Sequence, residues 1–218
     1  MAKIPKGILG GISGLVGTVV GATFRTLDII RSRPKKSNKA PVQTQINQRS
    51  KFGLVTEMMS RIKGYIDEGF KPKSALLTAL NTAVQYNLNN AVTGEFPNFE
   101  IDYPKMRISN GKMTGVEKAT VTAVAEGNVT VTWDTDDYNF LPVEKLIRAK
   151  DSARLLLYNE MEDSFMMTGY ELRPAGLIES RAPSANPGDR VHAYLFFVAE
   201  DGESSSRSIY LGAVIMLA

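Results

Sequence analysis

One histidine, no cysteine and a few carboxylate clusters bound the chemistry open to this chain. His192 stands in the apolar run VHAYLFF, where it reads as a side chain on a strand face. With no second histidine and no thiol, a His-based metal site, a serine-type triad and thiolate catalysis are all unsupported. Asp134, Asp136 and Asp137 resemble a loose ligand set for calcium. They lack the loop glycine and closing glutamate of an EF-hand, so a solvated turn is the better reading. Glu160, Glu162 and Asp163 also sit in a turn-like context, where perturbed acids are not expected. Tyr158, Tyr170 and Tyr194 could build a carbohydrate-binding face, although tyrosines on strands usually pack. Tyr86, Asn87, Asn89 and Asn90 form a polar and aromatic cluster whose simplest role is to end a helix. The expectation is a non-enzymatic protein with no cofactor and no metal.

Charge is more informative. Residues 1–51 hold ten basic side chains against Asp28 alone, a balance of +9. The rest of the chain holds 16 basic and 22 acidic residues, a balance of −6. Such a split suits a basic arm that meets an acidic surface on its own body, on another copy, or on nucleic acid. Arg31, Arg33, Lys35, Lys36 and Lys39 concentrate the charge in SRPKKSNKAP, a proline-bounded polar linker.

Ahead of the linker, Gly7 to Phe24 is uncharged and glycine-rich. Glycine weakens both helix and strand, so this stretch should not fold alone. Its candidate partner-binding residues are Ile8, Ile12, Leu15, Val16, Val19, Val20 and Phe24. Lys3 and Lys6 before an apolar run imitate a signal or a membrane helix, as does the spacing Gly10/Gly14. The many glycines, with Ser13, Thr18 and Thr23, make the run too weakly hydrophobic to insert. No small-x-small cleavage site precedes Arg25. The reading is therefore a retained arm, without a membrane span, in a cytoplasmic protein or a released assembly. Alternation over Leu15–Val20 predicts a strand, Gly21 a bend, and residues 25–30 a second strand.

Further along, Ile46, Phe52, Val55, Met59, Ile62 and Ile66 form one stripe and predict a helix from 44 to about 67. Met58 and Met59 are read as core. Leu76, Leu77, Leu80, Val84 and Leu88 predict a second helix over 73–90, ended by Thr93-Gly94 and antiparallel to the first. From Phe99 onward the texture is short alternating runs. Asn110-Gly111, Glu126-Gly127-Asn128 and Asp201-Gly202 are hairpin signals among them. Val129, Val131 and Trp133 alternate with threonines, which places the lone tryptophan in a core. The fold class is α+β: a Gly-rich arm and linker over 1–43, a helical hairpin over 44–98, and an antiparallel sandwich over 99–218.

Two resemblances add to this. NVTVTWD followed by VHAYLFFVAEDGESSSRSIYLG resembles fibronectin type III and related immunoglobulin-like sandwiches over Ala119–Ala218. KGILGGISGLVGTVVG, QTQINQRSKFGLV, YNLNNAVTG and VHAYLFFVAEDG together resemble an uncharacterised domain-of-unknown-function family of Bacteroidota, over the whole chain. Relatives tend to show Ser-Gly-Lys-Val where this chain has Ser13-Gly14-Leu15-Val16, and a tryptophan near Phe24. The opening also looks like small proteins of Bacteroidota phages, with Thr44, Gln45 or Gln48, Arg49 and Phe52 at the helix start. That resemblance implies assembly and names no activity. The functional expectation is a structural protein that docks through its arm, most often on other copies of itself. Alternatives are a ligand- or carbohydrate-binding sandwich and a non-specific nucleic-acid binder.

The linker carries the first prediction. Five cations with no aromatic platform should hold duplex DNA weakly and without sequence preference, and binding should fall steeply with salt. A titration across salt concentrations checks this; a tight, sequence-selective complex at physiological salt would contradict it.

Overall fold

Two strands of the body have no polar face at all. In Ser152–Asn159 every residue after Ser152 is buried, and in Arg190–Val198 every residue after Arg190 is buried. A strand buried on both sides must lie between two layers. A computed structural model, which describes residues 11–24, 27–36, 38–72, 76–135 and 142–217, shows both layers.

The chain divides at Val42/Gln43 into two compact units. In the N-terminal unit, β1 (Gly14–Val16), β2 (Val19–Phe24) and β3 (Leu27–Ser32) form an antiparallel sheet in that order. The arm is thus paired with itself. The bend falls at Gly17, whose φ is 57°, and not at the expected Gly21. Gly21 lies in the middle of β2, where a side chain would collide with the carbonyl of Ile12. Glycine is required there for close approach of backbone.

The body starts with α1 (Gln43–Arg61), α2 (Lys63–Gly69) and α3 (Ala79–Asn90). The single helix expected over 44–67 breaks at Ile62, whose ψ of 25° departs from the helical value and separates α1 from α2. Thr78 caps α3 by accepting from the amide of Asn81, so the second helix begins later than its periodicity predicts. Residues 73–75 lie outside the described residues. Thr93-Gly94 does not simply end a helix, because both residues belong to a hairpin of β4 (Val92–Glu95) and β5 (Asn98–Ile101).

Next come β6 (Ala119–Val124) and β7 (Asn128–Trp133), joined through Glu126-Gly127, both at positive φ, as the hairpin signal predicts. The short helix α4 (Pro142–Arg148) leads to β8 (Ser152–Asn159) and the hairpin strand β9 (Ser164–Thr168). Then follow β10 (Leu177–Arg181), which no sequence signal marked, β11 (Arg190–Val198) and β12 (Ile209–Ile215). One sheet runs β10-β7-β6 and the other β12-β11-β8-β9, all antiparallel.

Between these sheets lie Val129, Val131, Trp133, Leu155, Leu157, Leu195 and Phe197. The Trp133 ring meets Phe197 edge-on at 5.5 Å, and its Nε1–H donates to the Arg173 carbonyl at 2.7 Å. The alternate residues Leu156, Tyr158, Tyr194 and Phe196 face the other way, against Val55, Met59, Ile62 and Ile66 of the helices. Helical layer, four-stranded sheet and three-stranded sheet therefore share one strand pair and form one unit. The boundary expected at 98/99 is not where the structure divides. Asn110-Gly111 is likewise no hairpin. Asn110 bridges to Arg207, and Gly111 presses on the Ser205 backbone. Among the described residues no helix is long and apolar enough to cross a membrane.

Sharing a strand pair predicts one cooperative transition. Leu156→Ala, on the helical side, should cost about 2–5 kcal/mol. It should lower the helical far-UV signal and the Trp133 fluorescence transition together. Two separated transitions would show that the helices and the sandwich fold independently.

Candidate functional site

In the N-terminal unit, residues opposite one another share a face. The register pairs Leu15 with Val20, Val20 with Arg31, Ala22 with Ile29 and Phe24 with Leu27. Leu15, Val20, Ala22, Phe24, Leu27 and Ile29 therefore lie together as one apolar face that ends at Arg31. Leu15, Phe24, Leu27 and Ile29 are each 40–52% exposed. Of the residues expected to bind a partner, Leu15, Val20 and Phe24 come together here. Val16 and Val19 pair with each other on the opposite face, and the Ile12 backbone closes over Gly21. Ile8 lies outside the described residues. Leu27 and Ile29 were missed although they lie in the strand expected over 25–30, because its facing follows only from its register with β2.

Arg31, Arg33, Lys35, Lys36 and Lys39 are all exposed. From Arg33 to Val42 the described residues form neither helix nor strand. Pro34 holds the residue before it extended.

A cleft of about 420 Å³ opens in the body between α1, β5 and the β8–β9 hairpin. Leu54, Met58, Phe99, Tyr103 and Tyr158 supply its apolar and aromatic walls. Glu57, Glu100, Glu160 and Asp163 supply its acids, and Arg61 is the one cation lining it among the described residues. Arg61 pairs with Asp163 at 2.7 Å while its guanidinium lies 4.6 Å over the Phe165 ring. Lys51 stands 4.7 Å over the Phe99 ring. Glu160 approaches Arg190 at 3.9 Å and His192 at 3.3 Å. Glu57 and Glu100 form no ion pair with the described residues. Four separated segments contribute these groups, and no motif in the sequence links them.

Beneath the cleft the β8–β11 register sets Tyr158 opposite His192, and Tyr158 also opposite Phe165 of β9. Tyr103 stacks on His192 with ring centres 4.1 Å apart. Tyr194 is completely buried and Tyr158 nearly so, whereas Tyr170 is 75% exposed. The three tyrosines considered for sugar binding thus share no surface. Tyr170 is covered on one face by Arg154, 4.3 Å away. Asn87 is also buried and exchanges two hydrogen bonds of 2.8 Å with the backbone of Arg107, so it holds a loop to α3. Asp136 and Asp137 lie outside the described residues. Among the described residues no group of three or more His, Asp or Glu side chains is placed to hold a metal.

Residues 11–212 match the profile of DUF6266, a family of unknown function. The chain belongs to this family. The matched span takes in both units, from the approach to β1 as far as β12. A search among curated proteins found no match.

The single histidine of this DUF6266 chain is held neutral. Burial pushes the His192 imidazole below its ordinary value, and Glu160 opposes that push only in part. A neutral ring satisfies both neighbours. Nε2–H donates to Glu160, and Nδ1 accepts from the Tyr210 hydroxyl at 2.8 Å. Burial also raises Tyr103 and Tyr158, so the hydroxyls around the ring stay protonated. In the unfolded chain the imidazole takes its proton first as pH falls. Its contribution to stability is therefore complete above about pH 6.5 and is lost as pH drops through that value. Urea midpoints should decline from pH 7.5 to 5.5, and His192→Gln should flatten the decline. Parallel curves for variant and parent would refute a neutral buried histidine.

Proposed function

We propose that this protein is a non-enzymatic assembly component that self-associates through its N-terminal sheet. The observation that carries the reading is the apolar face of Leu15, Val20, Ala22, Phe24, Leu27 and Ile29 on a sheet that has three strands among the described residues. Such a sheet needs cover on its hydrophobic face to be stable. Completing the burial of the four half-exposed side chains, Leu15, Phe24, Leu27 and Ile29, contributes roughly 1 kcal/mol each. Several kcal/mol of that is offset by the lost freedom of association. A second copy of the same face would be self-complementary, as two-fold association requires.

We read the body as the rigid platform that carries this sheet, a fibronectin III-like sandwich with a helical layer added. In support, a three-stranded sheet faces a four-stranded one, and Trp133 enters the core from the second strand. The strand bearing Tyr194 leads through Asp201-Gly202 and a Ser-rich stretch into β12.

Mass in solution tests the assignment. Phe24→Asp with Ile29→Asp in the full chain should reduce the assembled mass to that of a monomer. Val16→Asp, on the opposite face, should leave it unchanged. Equal masses for all three proteins would remove the apolar face from the interface.

A further inference from the structure

We infer that the acidic, aromatic cleft of the body is the receptor for the basic linker of a second copy. The inference rests on the self-association reading above and adds the surface that receives the neighbouring chain. Charge complementarity selects the occupant. Up to Val42 the chain carries eight basic residues and one acid, while the body carries 18 basic and 22 acidic residues. Two cleft carboxylates, Glu57 and Glu100, form no ion pair with the described residues, whereas Glu160 and Asp163 are already engaged.

The linker has the form this cleft would accept. Arg31 stands next to last in β3, and Pro34 keeps Arg33 extended. In an extended chain Arg31, Arg33 and Lys35 project on one side at intervals of about 7 Å. An arginine entering the cleft would set its planar guanidinium against a ring and its N–H groups against a carboxylate. The cleft already shows this chemistry at its rim. Arg61 lies over Phe165 while pairing with Asp163, and Lys51 lies over Phe99. A volume of about 420 Å³ admits one or two such long side chains rather than a folded element.

Charge reversal in the full chain tests this. One variant carries Glu57→Lys and Glu100→Lys, both at exposed positions. The other carries Arg31→Glu, Arg33→Glu, Lys35→Glu and Lys36→Glu. Each alone should raise the concentration needed for assembly by roughly tenfold or more. In each variant cleft and linker have the same sign, so copies of it repel. Mixed one to one, each cleft meets a linker of opposite sign, and assembly should return. A mixture that stays monomeric, or a cleft variant that assembles like the parent, overturns the inference and leaves the apolar-face reading standing. If the parent itself is monomeric at every concentration, the self-association reading falls as well.

Discussion

The pairing of β8 with β11 is the constraint on which the body depends. Their eight-residue register fixes which side chains face which layer. Leu155 and Leu157 go to the sandwich, and Leu156 and Tyr158 go to the helices. A slip of one residue would exchange both sets and destroy two cores at once. Arg154 is a buried charge inside this pair: Glu68 of α2 forms an ion pair with its Nε at 2.7 Å, the Ser152 hydroxyl accepts from it at 2.8 Å, and the Tyr170 ring covers it. The same ion pair ties the helical layer to the sheet. A buried charge left without its partner would be expensive, so that contact also helps fix where α2 lies.

The N-terminal sheet shows the opposite condition. Its strands pair with one another, and the outer sides of β1 and β3 are its sheet edges among the described residues. What it lacks, among the described residues of its own unit, is a second layer. Glycines at 14, 17 and 21 remove side chains that would otherwise thicken it, and Gly21 lets the Ile12 backbone lie directly on the sheet. The Ile12 backbone thus covers one face at Gly21, with Val16, Val19 and Ile30 exposed around it, while the other face is apolar from Leu15 to Ile29.

Much of the body was legible because burial on one side imposes a period. Val129, Val131 and Trp133 alternate with threonines and sit in the core as that pattern requires. Of the expected stripe, Val55, Met59, Ile62 and Ile66 are in the core although the helix breaks at Ile62, whereas Phe52 is 51% exposed and Ile46 only partly covered. Legibility fails where burial has no period. β8 and β11 hold their apolar residues in unbroken runs, Leu155–Tyr158 and Ala193–Val198, so the sequence shows a strand there without saying that helices cover its second face. The chain from Met106 to Val116 reads as strand but is held mainly by single contacts. Ser109 bonds to Gly69 and Ser205, and Ser208 bonds back to the amides of Ile108 and Ser109. The cleft was invisible for a related reason. Glu57, Glu100, Tyr103 and Asp163 come from separate elements, and only the tertiary packing gathers them.

The two surfaces differ in what they can supply to an assembly. Exposed ion pairs are worth between nothing and about 1 kcal/mol each. A handful of linker cations in the cleft cannot hold a complex by themselves. They act over roughly 10 Å at moderate salt, so they accelerate encounter and reject like-charged orientations. The apolar face does the reverse: it contributes free energy in proportion to area and has no direction of its own. Placed in one chain a few residues apart, the linker would choose the partner and the sheet would retain it. Salt should then slow assembly more than it reverses it, because the retaining term is not electrostatic.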